Sequence, residues 1–170
     1  MLPQKPALFA IFFSLLSVYV HANELAPDEF RKLLSAPTQL ELMGRNLVLE
    51  TSIWLDRMPR IFDPNRPSPE CSKEGPLNVK VSIIATNLAE FPTGVKADRL
   101  WILKGNKWWG GSFSENESKI SNNRLDTVAR GCPPHFTEAD MLVDLVVRII
   151  DDKGNIYFLR APDQKVQVVF

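Results

Sequence analysis

From Thr38 onward the chain is written in twos. Leu47, Leu49, Thr51, Ile53 and Leu55 alternate with Val48, Glu50, Ser52, Trp54 and Asp56, and Leu77, Val79, Val81 and Ile83 alternate with Asn78, Lys80, Ser82 and Ile84. The strongest row is Met141, Val143, Leu145, Val147 and Ile149, with Asp144 and Arg148 opposite. A period of two is that of a pleated strand with one face on a core and the other toward solvent. The same reading predicts strands over 38–43, 98–104, 107–113, 125–130, 156–160 and 165–170. Gly105-Asn106 fits a two-residue II′ or I′ hairpin turn, and residues 43–46 and 151–155 predict further turns.

The period differs only near the start. Pro27-Asp28-Glu29 followed by Phe30, Leu33 and Leu34 carries a helix-start signature with i, i+3, i+4 apolar spacing, so residues 23–37 predict one short helix ended before Pro37. Before it, Lys5, the apolar run 7–20 and Val20-His21-Ala22 have the layout of a secretory signal cleaved after Ala22. That run is shorter than the ~20 residues a bilayer span needs, and no later segment is apolar enough to span. The expected fold is therefore all-β: a single Ig-like or fibronectin-like β-sandwich of about 7–8 strands over 38–170, behind a signal peptide and a short helix. The Cys-Trp-Cys spacing of true immunoglobulin domains is absent, so the likeness is one of architecture.

The 170 residues carry 20 Lys+Arg against 20 Asp+Glu. That balance removes the electrostatic case for nucleic acid and for a polybasic membrane surface. A 45% hydrophobic and 24% charged composition is that of a globular chain. An exported protein is expected in a periplasm or outside the cell, and its two cysteines, Cys71 and Cys132, are expected to form one disulfide. The alternative is a metal-handling protein in which Cys71, Cys132 and His135 bind copper or zinc. Structural zinc wants four ligands, and His135 is the only histidine left after signal cleavage.

Catalytic constellations are missing. His135 lies between prolines and phenylalanine in a cysteine-closed loop, no Gly-x-Ser-x-Gly elbow occurs, and no spacing singles out a carboxylate pair. Residues 151–155 lack the alternating ligands of a calcium loop and read as a turn. No dinucleotide or phosphate-binding glycine loop is present, so neither enzyme activity nor a cofactor is expected, the remaining alternative being a hydrolase with an unrecognised carboxylate site. Asn116-Glu117-Ser118 is a glycosylation sequon whose use depends on the source.

The tryptophans remain. Trp54 shares its row with Glu50, Ser52 and Asp56, and adjacent Trp108 and Trp109 must point to opposite faces of a strand. The rings either fill the core or lie under the proline-rich 57–76 connection, or they form an aromatic platform rimmed by Arg57, Arg60 or Arg66. The functional expectation is a non-enzymatic exported protein that binds a protein or glycan partner through Trp54, Arg57, Arg60, Trp108 and Trp109, near the disulfide-tied loops.

Overall fold

The structure is a computed structural model that describes residues 25–58, 71, 75–87 and 90–170. The signal segment 1–22, Arg60, Arg66 and most of the 57–76 connection lie outside the described residues.

Helix α1 (Pro27–Leu34) forms where the spacing predicts it. Pro27 sits in the first turn, where its missing N–H costs nothing, and the Glu29 carboxylate accepts the Ala26 N–H at 3.3 Å. Arg160 holds the other end, donating from Nη1 to the Leu34 carbonyl at 2.7 Å and from its backbone N–H to Pro37 at 2.8 Å.

Among the described residues nine strands follow: β1 (Leu40–Leu42), β2 (Arg45–Asp56), β3 (Leu77–Ala85), β4 (Lys96–Lys104), β5 (Lys107–Ser112), β6 (Lys119–Ser121), β7 (Arg124–Gly131), β8 (Leu142–Ile150) and β9 (Ile156–Val169). Their order is β5-β4-β8-β9-β2-β3-β7-β6, with β1 paired to β2. Gly105 has φ +59° and Asn106 is not left-handed, the II′ pattern at the β4–β5 turn. In the 151–155 turn the Asp151 carboxylate accepts the Lys153 and Asn155 backbone N–H groups, Asn155 Nδ2 and the Tyr157 hydroxyl. The hydrogen bond from Asn155, chiefly, holds Asp151 below the usual aspartate range.

The all-β expectation holds, but the two separate facing sheets are replaced by one mixed sheet curled into a half-barrel. Strand β9 makes the difference. Its first part runs antiparallel to β8, as far as Lys165 opposite Leu142. Its last part, Val166–Val169, runs parallel to Ile53–Asp56 of β2. Pro162 reads in sequence as the end of one strand. It lies instead at an irregularity where Val143 faces Gln164 and Leu145 faces Ala161, with Asp163 at φ 53° and its N–H on Asp144 at 3.1 Å. Extra residues on one strand bend it and raise its twist, which carries β9 from one half of the sheet into the other. The polar 114–124 segment contains a single 3-10 turn (Glu115–Glu117) and β6, with Asn116 exposed in that turn.

Inside the curl, Leu47, Ile53, Leu55, Leu77, Val79, Val81, Ile83, Leu100, Ile102, Leu145, Val147 and Ile149 form the main core around Phe136. A second, smaller core lies on the outer face, where Leu33 and Ala36 of the α1 segment pack on Leu103 and Val146, flanked by Trp101, Trp108 and Phe158. Among the described residues no helix is long and apolar enough to cross a membrane.

Candidate functional site

The β4–β5 hairpin sets the site. Its register pairs Trp108 with Leu103, Trp109 with Ile102, Gly110 with Trp101, Gly111 with Leu100 and Ser112 with Arg99. Leu100 and Ile102 belong to the inner core, so Trp109 points inward and Trp108 outward, as alternation requires. Trp109 packs against the core and lies over Gly111 and Gly131, where β5 and β7 approach and the Ser114 N–H reaches the Val128 carbonyl at 3.0 Å.

On the outer face the helix covers one part of the hairpin surface and leaves the other open. The result is a cleft of about 510 Å³ between α1 and strands β4, β5, β8 and β9. Its aromatic lining is Trp101, Trp108 and Phe158, with Trp101 and Phe158 centroids 5.9 Å apart and tilted by 55°. Gly110 is exposed between the two indoles. A Cβ there would meet Trp101 Cδ1 and Nε1 and Trp108 Cζ3 at 3.5 Å, an ordinary contact distance, so glycine leaves a gap in the floor that sterics do not demand.

Charge lines the rim. A register shift between Ala97 and Arg99 brings Asp98 to Arg148, which grips both carboxylate oxygens, Nε donating to Oδ1 at 2.8 Å and Nη2 to Oδ2. The Arg148 hydrogen bond holds the Asp98 carboxyl below its usual range and leaves the guanidinium more firmly protonated. Arg99 is the cross-strand neighbour of Arg148 and has no ion-pair partner among the described residues. Lys32 stands with its ammonium 5.0 Å from the Phe158 centroid. Glu29 completes the rim.

Of the residues expected from sequence, Trp108 alone lines this cleft. Trp54 is half-buried on β2, between Asn78 and Gln167 on the other half of the curled sheet. Arg57 is exposed and donates to the Thr137 carbonyl at 2.9 Å. Trp109 belongs to the core, and Arg60 lies outside the described residues. Among the described residues, Trp54, Arg57, Trp108 and Trp109 are not brought together into one platform. Cys71 and Cys132 are joined by a disulfide with Cα atoms 5.1 Å apart. Both sulfurs are thereby taken up, so the Cys71, Cys132 and His135 set offers a metal only one imidazole, and no cluster of three ligating side chains occurs among the described residues.

Sequence reasoning missed Trp101, Phe158, Arg99, Arg148 and Lys32. A signal was present: Leu100-Trp101-Ile102-Leu103 and Leu145-Val146-Val147 are apolar on both faces, which requires a cover on the second face, and the amphipathic segment 27–34 supplies it. Comparison with protein families, curated proteins and solved structures finds no match.

Proposed function

We propose that this chain is an exported, non-enzymatic binding protein that takes a glycan in the cleft beneath α1. The observation that carries the reading is the pair of indoles, Trp101 and Trp108, set on the outer face on either side of an exposed glycine. Indole faces pack on the C–H faces of sugar rings, and a concave aromatic floor with a few polar groups is the usual form of a small-ligand site. A concave recess of this size favours a few linked sugars over a flat protein surface.

The absence of enzyme activity is supported by how the cleft's carboxylates are used. Asp98 is gripped by Arg148, and Glu29 accepts a backbone N–H of its own helix. Asp98 is thereby not left as a free acid or base. Export to a periplasm or the exterior is supported by the leader-like residues 1–22 and by the disulfide.

Tryptophan fluorescence titrated with an oligosaccharide panel tests the reading. Quenching or a shift that saturates, and that is lost in both Trp101→Ala and Trp108→Ala but kept in Trp54→Ala, is the expected result. A response that survives loss of both cleft indoles, or no response to any glycan, refutes it.

A further inference from the structure

We infer that the glycan taken by this cleft is an acidic one, held through a sugar carboxylate by Arg99 and Lys32; this rests on the glycan reading above. A charge imbalance is built into two strands. Arg99 of β4 and Arg148 of β8 are direct cross-strand partners. Like charges facing each other across a ladder destabilise a sheet. One carboxylate, Asp98, stands between them, and Arg148 occupies both of its oxygens in a forked pair. Arg99 feels Asp98 only at longer range, and it keeps a guanidinium lining the cleft with no carboxylate within ion-pair distance among the described residues.

The remaining polar groups have the same sign of hydrogen-bonding character. Lys32 extends over Phe158 with no ion-pair partner among the described residues. Trp101 Nε1 borders the gap at Gly110 and donates to no acceptor among them. Glu29 and Asp98, the two carboxylates at hand, already accept N–H groups. The cleft thus offers free donors and positive charge beside aromatic rings, with both Asp98 oxygens engaged. A ligand that matches carries an anionic acceptor on a ring with an apolar face, which is the chemistry of a uronic or sialic acid residue. An acidic peptide brings the charge but lacks a ring whose apolar C–H face packs on the indoles, and it forms the contrasting arm of the test. Arginine suits a carboxylate because its planar fork gives two parallel bonds.

The experiment uses the chain purified with its disulfide intact and oligosaccharides carrying galacturonate, glucuronate or sialic acid, each beside its neutral methyl ester, with oligo-aspartate as the peptide arm. The expected result is saturable tryptophan quenching by an acidic glycan, at least about tenfold weaker for the ester, and weakening from low salt to 0.15 M salt. Arg99→Gln is expected to lower affinity about tenfold or more while leaving the melting temperature unchanged or higher, because it removes a like-charge pair. Lys32→Gln gives a second, smaller loss. Esters that bind as tightly as acids overturn the inference and leave the glycan reading standing. Binding of oligo-aspartate without any glycan overturns both, as does silence across the panel. A fall in melting temperature for Arg99→Gln also counts against the inference, since it makes Arg99 a structural residue.

Discussion

Three glycines near the β5–β7 approach meet tryptophan in different ways, and replacing each with alanine gives a graded test of the packing. At Gly131 an added Cβ would lie 3.0 Å from Trp109 Cε2 and 3.1 Å from Cη2, and nearer still to Cζ2. At Gly111 the nearest atom is Trp109 Cη2 at 2.8 Å, with Cζ2 at 3.1 Å. At Gly110 nothing comes closer than 3.5 Å. Trp109 cannot retreat freely, since it packs against the main core. Overpacking of this kind costs about 1–3 kcal/mol, so Gly131→Ala is expected near the upper end, about 3 kcal/mol, with Gly111→Ala below it. Gly110→Ala meets no obstacle and removes backbone freedom from the unfolded chain, so it is expected to be neutral or to stabilise by about 0.5 kcal/mol. At about 2–4 °C per kcal/mol for a domain of this size, Gly131→Ala lowers the melting temperature by roughly 6–12 °C. Urea unfolding without reductant measures all three, and a Trp109→Phe background, which removes the benzo ring in question, should relieve most of the Gly131→Ala cost. Equal effects at 110 and 131, or no relief in the Trp109→Phe background, would refute the reasoning.

The disulfide closes a separation of 61 residues, for which loop-closure entropy gives about 4 kcal/mol. A Cys71→Ser, Cys132→Ser double variant is expected to lose a comparable amount by urea unfolding, and a loss below about 1 kcal/mol would show that the closed loop gains little from the bridge. The Asp98–Arg148 pair predicts a pH dependence. Asp98 lies below its ordinary 3.8 in the folded state, so its contribution is full above the unfolded value and is lost as pH falls through the folded one. The stability gap between the parent and Asp98→Asn should be constant at neutral pH and shrink between about pH 4 and pH 2, and a gap that widens in acid would contradict the assignment.

How far the fold was legible depends on where its information lies. Strand positions are local: the rows Leu77, Val79, Val81, Ile83 and Val143, Leu145, Val147, Ile149 are written every second residue and are buried as written. Which strands neighbour each other is not local. Nothing in Ile156–Val169 announces that its two ends serve different partners, and Pro162 argues by itself for a break where the strand only bends. The site follows the same division. Alternation forces one of Trp108 and Trp109 off the core, but choosing between them needs the pairing with Ile102 and Leu103 on β4. Trp54 and Arg57 are plausible rim residues in one dimension and sit on another part of the sheet in three. Arg99 and Arg148 are separated widely in sequence, so their adjacency appears only with the β4–β8 register.

Strand β9 spans fourteen residues and joins both halves of the sheet, one edge-on to β8 and the other alongside β2. It acts as a keystone, and it follows the other eight described strands in sequence. Strand β2 finds β3 nearby in sequence, but it meets β9 only across more than a hundred positions, Ile53 against Val166. Such distant pairing folds slowly. Closing the curl through β9 is thus a late latch on two halves whose hairpins can each pair locally first.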